Sequence, residues 1–166
     1  MLLDNFGGFA ASNLNIVNGV AISNASSPPM AFRDYGPVSP TGVIVAKISP
    51  KDGAPVRIYF CCDATRQNGW VCEINTTSQL TLYRIDDGAE TIAGYGLTPL
   101  GVGEGWVTIT IHNGKVSCVY MDMGNTFAAL DVPLTAYADQ SCVSLGIGAN
   151  VADGIYASCS QIQMTA

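Results

Sequence analysis

Apolar and polar residues alternate most strongly between residues 106 and 122, where W-V-T-I-T-I-H and K-V-S-C-V-Y-M-D flank Asn113 and Gly114. An Asn-Gly pair tolerates the positive φ angles of a two-residue type I′ turn, so this stretch predicts a β-hairpin. In the first arm every second residue from Val107 onward is apolar, which predicts one core face and one solvent face. The second arm is apolar on both faces, which is typical of a strand inside a sheet.

The same kind of segment recurs along the rest of the chain. Strands are predicted at residues 2–6, 30–35, 43–49, 56–62, 70–75, 80–86, 91–97, 127–132, 141–149 and 155–164, with two short strands around the turn within residues 13–22. Gly, Pro, Asn and Asp stand between these segments, as expected for turns. Helical spacing is nearly absent, and only residues 135–140 are compatible with a single helical turn. Together these features predict an all-β sandwich or barrel that forms one domain over residues 1–166.

One predicted strand, residues 56–62, has two chemically distinct faces. Alternation places apolar residues on a core face and Arg57, Tyr59 and Cys61 together on the opposite face. Adjacent residues of a strand point to opposite faces, so Cys61 and Cys62 cannot share one disulfide partner.

The composition narrows the range of partners. The formal net charge is −6, and the seven Lys and Arg residues do not cluster, so nucleic acid is not an expected partner. No apolar stretch approaches the length that spans a bilayer, so no membrane insertion is expected. Charged residues make up 12% of the chain, which predicts a soluble surface that relies on Ser, Thr and Asn.

The six cysteines are predicted to be free thiols. The opening M-L-L-D-N-F-G-G has no basic region and no apolar run of signal-peptide length, which favours synthesis and folding in the cytosol. A reducing cytosol and a large core favour buried, unpaired cysteines over disulfides. No pair has the C-x-x-C spacing of a structural zinc site.

Several segments in order resemble a known family. They are the opening D-N-F, the Asn18-Gly19 turn, G-W-V-C-E-I followed by Q-L-T-L-Y-R-I-D-D-G, the hairpin G-E-G-W-V-T-I-T-I-H-N-G-K-V and the late S-L-G-I-G-A-N. This order is similar to the concanavalin A-like lectin/glucanase (LamG-like) jelly roll and, within that superfamily, to modules of bacteriophage virion proteins. The resemblance covers nearly the whole chain. It implies a two-sheet antiparallel β-sandwich with one concave and one convex sheet.

The resemblance also implies a choice between binding and hydrolysis. Members of the family often bind glycans on the concave face or in rim loops, and the glucanase branch hydrolyses them with an E-x-D-x-x-E strand. That motif is absent here, and Glu73, Glu90 and Glu104 do not alternate on one strand. The single histidine, His112, ends a strand beside the hairpin turn, where a solvated side chain is the expected role. We therefore expect no catalytic residues and no enzymatic activity.

Candidate binding residues follow from alternation and from residue type. Sugar rings stack on aromatic faces ringed by hydrogen-bonding side chains, which makes Arg57, Tyr59 and Tyr83 candidates, together with Trp70 and Trp106 at strand starts. The alternative for both tryptophans is that they close the ends of the core, and this alternative is favoured.

Candidate metal ligands follow from the rim calcium that the resemblance implies for some members. Asp86, Asp87, Asp122 and Asp153 lie in or beside turns and could bind calcium together with loop carbonyls. The alternative is that they are solvated turn carboxylates. No other cofactor is expected.

Two functions remain open from the sequence. The first is a non-enzymatic virion structural protein of a phage tail, fibre or capsid decoration, synthesised in the host cytoplasm and located in the virion. Its expected partners are other virion proteins, further copies of itself in a homo-oligomer (a trimer if it belongs to a fibre) and a cell-surface glycan. The second is a carbohydrate-binding module of a secreted glycan-processing system.

Overall fold

The computed structural model describes residues 2–4, 14–17, 20–23, 30–37, 42–51, 54–75, 79–97, 104–122, 125–150, 153 and 155–165. These residues form fifteen strands: β1 (Leu2–Asp4), β2 (Leu14–Val17), β3 (Val20–Ser23), β4 (Met30–Pro37), β5 (Gly42–Ser49), β6 (Val56–Cys62), β7 (Gly69–Ile74), β8 (Gln79–Asp86), β9 (Ala89–Leu97), β10 (Gly105–His112), β11 (Lys115–Asp122), β12 (Asn125–Pro133), β13 (Cys142–Asn150), β14 (Ile155–Tyr156) and β15 (Ser158–Thr165). The described part of the chain holds no helix with the length and hydropathy needed to cross a membrane.

The strands pair into two antiparallel sheets. The first sheet has the order β12-β11-β10-β5-β15-β3-β2, and β1 also pairs with β15. The second sheet has the order β14-β13-β6-β7-β8-β9, and β4 also pairs with β13. The predicted two-sheet antiparallel β-sandwich is therefore confirmed.

The predicted hairpin forms as β10 and β11. His112 pairs with Lys115, so Asn113 and Gly114 are the two turn residues, with φ angles of 51° and 70°. The apolar residues that start at Val107 are buried, as alternation requires. β11 pairs with β10 on one side and β12 on the other, which confirms that it lies inside the sheet.

The core lies between the two sheets. It combines the inward residues of both sheets, among them Ala46, Ile48, Val107, Ile109 and Tyr120 from the first sheet and Ile58, Phe60, Trp70, Leu82 and Leu145 from the second. Burial of these side chains is the main stabilising contribution expected for such a sandwich.

The predicted strand boundaries agree well over most of the chain, where β4 to β13 begin and end within two residues of the prediction. The strand predicted at residues 2–6 is seen as β1, which ends at Asp4, and residues 5–6 lie outside the described part. Val17 pairs with Val20, so two strands flank the predicted turn, although residues 18–19 are themselves outside the described residues.

The prediction of one strand over residues 155–164 was wrong. β14 pairs with β13 in the second sheet, whereas β15 pairs with β5 in the first. Between them Ala157 is buried and donates its N–H to the carbonyl of Gly148 at 3.1 Å. The chain thus passes from one sheet to the other, which an alternation pattern does not reveal.

Two local predictions also need correction. Cys61 was expected beside Arg57 and Tyr59, but its φ of 45° interrupts the alternation and turns its side chain into the core between the sheets. Cys62 packs with Tyr59 instead. Residues 135–140 form a turn closed by the Gln140 N–H and the Tyr137 carbonyl at 3.0 Å, and the φ of 60° at Tyr137 is incompatible with a helix.

All six cysteines are free thiols in the structure, as predicted. Five of them are buried and Cys142 is half-buried. The Cys118 thiol shares a hydrogen bond with Cys72, so two thiols from opposite sheets meet inside the core.

Candidate functional site

The outer face of the second sheet carries a group of polar and aromatic side chains that could bind a ligand. Strand register aligns these groups in two rows across the sheet. One row holds Asp34, Ser144, Tyr59, Val71, Tyr83 and Ile92. The other holds Arg57, Glu73, Thr81 and Tyr95. We call the outward side of β6 to β9 the β6–β9 face.

Arg57 is at the centre of this face. Its Nε donates to Glu73 Oε2 at 2.6 Å, and its Nη1 donates to Glu90 Oε1 at 2.7 Å. Nη1 also lies 3.4 Å from the Tyr59 hydroxyl oxygen, and the guanidinium carbon is 6.0 Å from the centroid of the Tyr83 ring. One cation thus binds two carboxylates and contacts two tyrosines, which fixes the position of all four side chains.

The Arg57–Glu90 pair indicates that the face is concave. Arg57 is on β6 and Glu90 is on β9, with β7 and β8 between them. In a flat sheet the two residues would be about 20 Å apart, beyond the reach of their side chains, because three strand spacings of about 4.8 Å separate β6 from β9 and Glu90 pairs with Ile85, four residues along β8 from Thr81 in the Arg57 row. Two side chains that meet at 2.7 Å across that separation favour a sheet that curves toward them.

Burial and hydrogen bonding define the protonation states of Arg57, Tyr59 and Tyr83. Tyr59 is 5% exposed and Glu73 is 7% exposed, although both point away from the core between the sheets. Burial alone would lower the pKa of Arg57, but the hydrogen bond to Tyr59 and the charge of Glu73 outweigh it and raise that pKa, so the cation is permanent. Burial also raises the pKa of Tyr59 and of Tyr83, so both remain neutral hydroxyl groups that can donate a hydrogen bond.

At one end the face deepens into a pocket of about 260 Å³. Its walls come from the face itself, from the loop between β6 and β7 and from the turn between β8 and β9: Tyr59, Thr65, Arg66, Gln67, Ile85, Gly88 and Glu90. Arg66 is tied to this side of the sheet because its Nη1 donates to Asp34 Oδ1 at 2.6 Å.

Asp63 holds the pocket loop in place. Its Oδ1 accepts the Thr65 hydroxyl at 2.7 Å, the Thr65 N–H at 2.8 Å and the Gln67 N–H at 3.2 Å, and its Oδ2 accepts from Asn68 Nδ2 at 2.9 Å. Burial opposes the charge, but these bonds lower the pKa of Asp63 to about 2. The loop is therefore preorganised, which reduces the ordering cost of binding a ligand.

Beyond Tyr83 the face presents apolar surface to solvent. Tyr95 is 60% exposed and pairs in register with Thr81, while Ile92 is 58% exposed and pairs with Tyr83. Among the described residues, Ser144 has the one buried side-chain polar atom without a hydrogen-bond partner, and Ser144 lies in the same row as Tyr59 and Tyr83. The face therefore presents aromatic and aliphatic surface at its β9 edge, and the unpartnered Ser144 hydroxyl is buried beside it.

The structure brings together three of the residues predicted from the sequence and separates the other two. Arg57, Tyr59 and Tyr83 lie on one face, as described above. Trp70 lies in the core, 1% exposed, and its indole N–H donates to the Ala136 carbonyl at 2.8 Å. Trp106 is on the outer face of the first sheet, 38% exposed, on the opposite side of the sandwich. The two tryptophans are thus not part of the site.

The four predicted calcium ligands are not brought together. Asp86 accepts from Arg84 Nε and from the Tyr137 hydroxyl, both at 2.8 Å, while Asp87 and Asp153 are exposed and Asp122 is buried at the end of β11. Within the described ranges, no three His, Cys, Asp or Glu side chains are grouped so that they could hold a metal ion.

Sequence reasoning missed the partners of Arg57. Glu73 shares a face with Val71 by simple alternation, so it could have been placed beside Arg57 once β6 and β7 were paired. Glu90 and Tyr95 could not have been placed in this way. A register shift between Leu82 and Tyr83 changes the alternation along β9, and neither strand shows it in its sequence.

The fold is shared with several solved structures. It is similar to a carbohydrate binding module, CBM66, from Bacillus subtilis, with a TM-score of 0.65 and 13% identity over 88% of this chain and 86% of that chain. It is also similar to a Bacillus licheniformis beta-glucanase, with a TM-score of 0.60 and 13% identity over 99% and 97% of the two chains.

A phage protein has the same fold. The CBM2 module of the evolved Dit of Lactobacillus casei BL23 phage J-1 gives a TM-score of 0.59 and 8% identity over 92% of this chain and 80% of that chain. These structures share the fold of this chain, which agrees with the jelly roll that the sequence predicts. No family profile matches the sequence, and no curated protein matches it significantly.

Proposed function

We propose that this chain is a glycan-binding module whose contact surface is the β6–β9 face and that it releases its ligand unchanged. The observation that carries the proposal is a group of side chains on a concave face, in which Arg57 hydrogen-bonds Tyr59, Glu73 and Glu90 and lies 6.0 Å from the centre of the Tyr83 ring. Preorganised hydrogen-bonding groups beside exposed aromatic surface are the requirements for binding a sugar chain.

The arrangement of the two glutamates favours binding over hydrolysis. Hydrolysis by a carboxylate pair needs one carboxylic acid that can give a proton to the leaving oxygen. Glu73 and Glu90 both accept from Arg57, which has only donors; the second oxygen of Glu73 accepts from Asn75, and that of Glu90 also accepts from Arg57, so the oxygens of both side chains are engaged as acceptors. Neither is arranged as a proton donor toward a ligand on the face.

The biological setting that we propose is the virion of a bacteriophage. The module would serve as a tail, fibre or capsid-decoration component that contacts a cell-surface glycan and assembles with other virion proteins and with copies of itself. The sequence resemblance to virion modules supports this setting, and so does the shared fold with the phage J-1 Dit module. A low-charge surface also suits close packing, because few charges lose their water at an interface.

A second candidate is a carbohydrate-binding module of a secreted glycan-processing system. The shared fold with the CBM66 module favours it. The two settings differ in what accompanies the chain. Co-sedimentation with phage particles supports the virion setting, whereas a fused or neighbouring glycan-processing enzyme supports the second.

Binding and turnover can be tested together. We expect affinity electrophoresis through gels that contain bacterial surface polysaccharides to retard the protein, and we expect incubation with them to release no reducing sugar. Tyr83→Ala and Tyr95→Ala should each weaken binding about tenfold, the equivalent of about 1.4 kcal/mol of stacking. Trp106→Ala, an aromatic truncation on the other sheet, is the matched control and should bind like the wild type. Reducing-sugar release would refute the non-enzymatic proposal.

A further inference from the structure

We infer that the β6–β9 face takes uncharged glycans and rejects those that carry carboxylate, sulfate or phosphate groups. This inference rests on the proposed function and adds the chemical class of its ligand. An arginine at the centre of a binding face would usually indicate an anionic ligand, because guanidinium groups bind carboxylate and phosphate in a bidentate manner. Here, however, Arg57 and Arg66 are both already paired with carboxylates, which argues against an anionic ligand.

Arg57 is already occupied on each of its donating edges. Its Nε and Nη2 face Glu73 Oε2, and its Nη1 and Nη2 face the two Glu90 oxygens at 2.7 and 3.4 Å. An anionic sugar would have to displace one of these carboxylates. Displacing Glu73 would leave a buried charge without its partner, which is strongly unfavourable.

Arg66, the second cation on this side, is also paired. Its Nη1 binds Asp34 Oδ1 at 2.6 Å at the edge of the 260 Å³ pocket. Asp63 supports the same loop and stays ionised because its pKa is about 2. Among the described charged groups around the pocket, the two arginines thus stand beside four carboxylates, three that bind an arginine (Asp34, Glu73 and Glu90) and Asp63, so the net charge of this group is negative.

The remaining groups on the face suit neutral sugars. Tyr59 and Tyr83 keep their hydroxyl protons, and Tyr83 and Tyr95 present ring surface. Carboxylate oxygens that already bind arginine retain lone pairs that can accept from sugar hydroxyls. Sugar hydroxyl groups can donate hydrogen bonds to these carboxylates, whereas an acidic group on the sugar would be repelled by their negative charge.

The test is a direct comparison of neutral and acidic oligosaccharides. Malto-, xylo-, galacto- and fructo-oligosaccharides are compared by calorimetry with oligogalacturonate, oligoalginate and heparin-derived oligosaccharides, at low salt and neutral pH. We expect at least one neutral series to bind and each acidic series to bind at least about tenfold more weakly, so that the weak affinity for the acidic series can still be measured. Acidic oligosaccharides that bind as tightly as the neutral ones would overturn the inference and leave the proposed function intact. Failure of every probe to bind would count against the proposed function itself.

Two matched variants test whether the negative charge of the face causes the selectivity for neutral glycans. Glu90→Gln removes one negative charge from the face and keeps an oxygen that accepts from Arg57. The affinity for the acidic series should then rise about threefold, as expected for removal of a unit charge about 7 Å away in water, and the gain should shrink in 0.5 M salt. Asp131→Asn makes the same charge change on β12 in the first sheet and should leave that affinity unchanged. If both variants gain the same affinity for the acidic series, the selectivity comes from the net charge of the protein and not from this face. If Glu90→Gln gains none, the inferred selectivity has no electrostatic basis.

Discussion

Arg57 on β6 and Glu90 on β9 meet at 2.7 Å although two strands separate them. The same guanidinium binds Glu73, which is buried. Arg57 therefore has two roles: it compensates a buried charge in the sheet and it shapes the concave face on which we propose that a glycan binds.

Replacement of Arg57 by Met should lower the free energy of unfolding by about 2–3 kcal/mol. Met keeps an apolar stem but leaves the Glu73 carboxylate buried without its cation. Urea denaturation followed by fluorescence measures this change. The added substitution Glu73→Gln should recover part of the loss, because the uncompensated charge is then gone. Lys47→Met, which breaks the exposed Lys47–Glu104 pair, is the control and should change stability by less than about 1 kcal/mol. A similar loss at both lysine and arginine positions would argue against a special role for Arg57.

The acid sensitivity of the fold should include a contribution from Asp63. Its folded-state pKa of about 2 lies below the ordinary value near 4, so its contribution is complete above pH 4 and is lost as the pH falls toward 2. Asp63→Asn should reduce the pH dependence of the thermal midpoint between pH 4 and pH 2. An unchanged slope in that window would show that the loop does not depend on this carboxylate.

The turn of the β10–β11 hairpin should be sensitive to side-chain type. Gly114 has a φ of 70°, and a Cβ there would meet no atom within 4 Å, so any cost of substitution is conformational. Gly114→Val should destabilise the protein by on the order of 1 kcal/mol or more, because a β-branched residue resists positive φ. Gly114→Asn should cost less, since Asn tolerates that region. Equal thermal midpoints for the Val and Asn variants would contradict this account.

The cysteines should all titrate as thiols once the fold is removed. Burial raises the pKa of Cys61 to about 11 and that of Cys62 to about 12, so both should react slowly with a thiol reagent at pH 8 in the native protein. In denaturant without reductant the count should be six. A count of two or fewer would overturn the free-thiol prediction and favour the secreted setting over the virion.

Alternation was a good guide wherever a strand was regular. It placed Arg57, Tyr59 and Tyr83 on one side of their strands, and pairing then brought them together. It failed at Cys61, where a positive φ turns the side chain into the core, and at Ala157, where the chain changes sheet. Such irregularities depend on tertiary contacts, which periodicity does not encode.

The candidate site was less predictable than the fold because it depends on curvature and register. Glu90 reaches Arg57 across two other strands, and the register shift in β8 and β9 decides that Tyr95 shares their face. Residue type made Trp70 and Trp106 candidates for sugar binding, although neither lies on the β6–β9 face. A tryptophan suits a sugar-binding surface and a core equally well, and only the three-dimensional position separates the two roles.

The most direct test of the central claim is a titration of isotope-labelled protein with a neutral oligosaccharide, followed by backbone amide NMR shifts. If the glycan binds where we propose, shifts should concentrate on β6 to β9 and the loop at residues 63–68, with Arg57, Tyr83 and Tyr95 among the largest. Amides of the first sheet around Thr108 should stay unchanged. Shifts confined to the first sheet, or saturating binding without any shift at Arg57, Tyr83 and Tyr95, would contradict the assignment of the β6–β9 face as the glycan-binding surface.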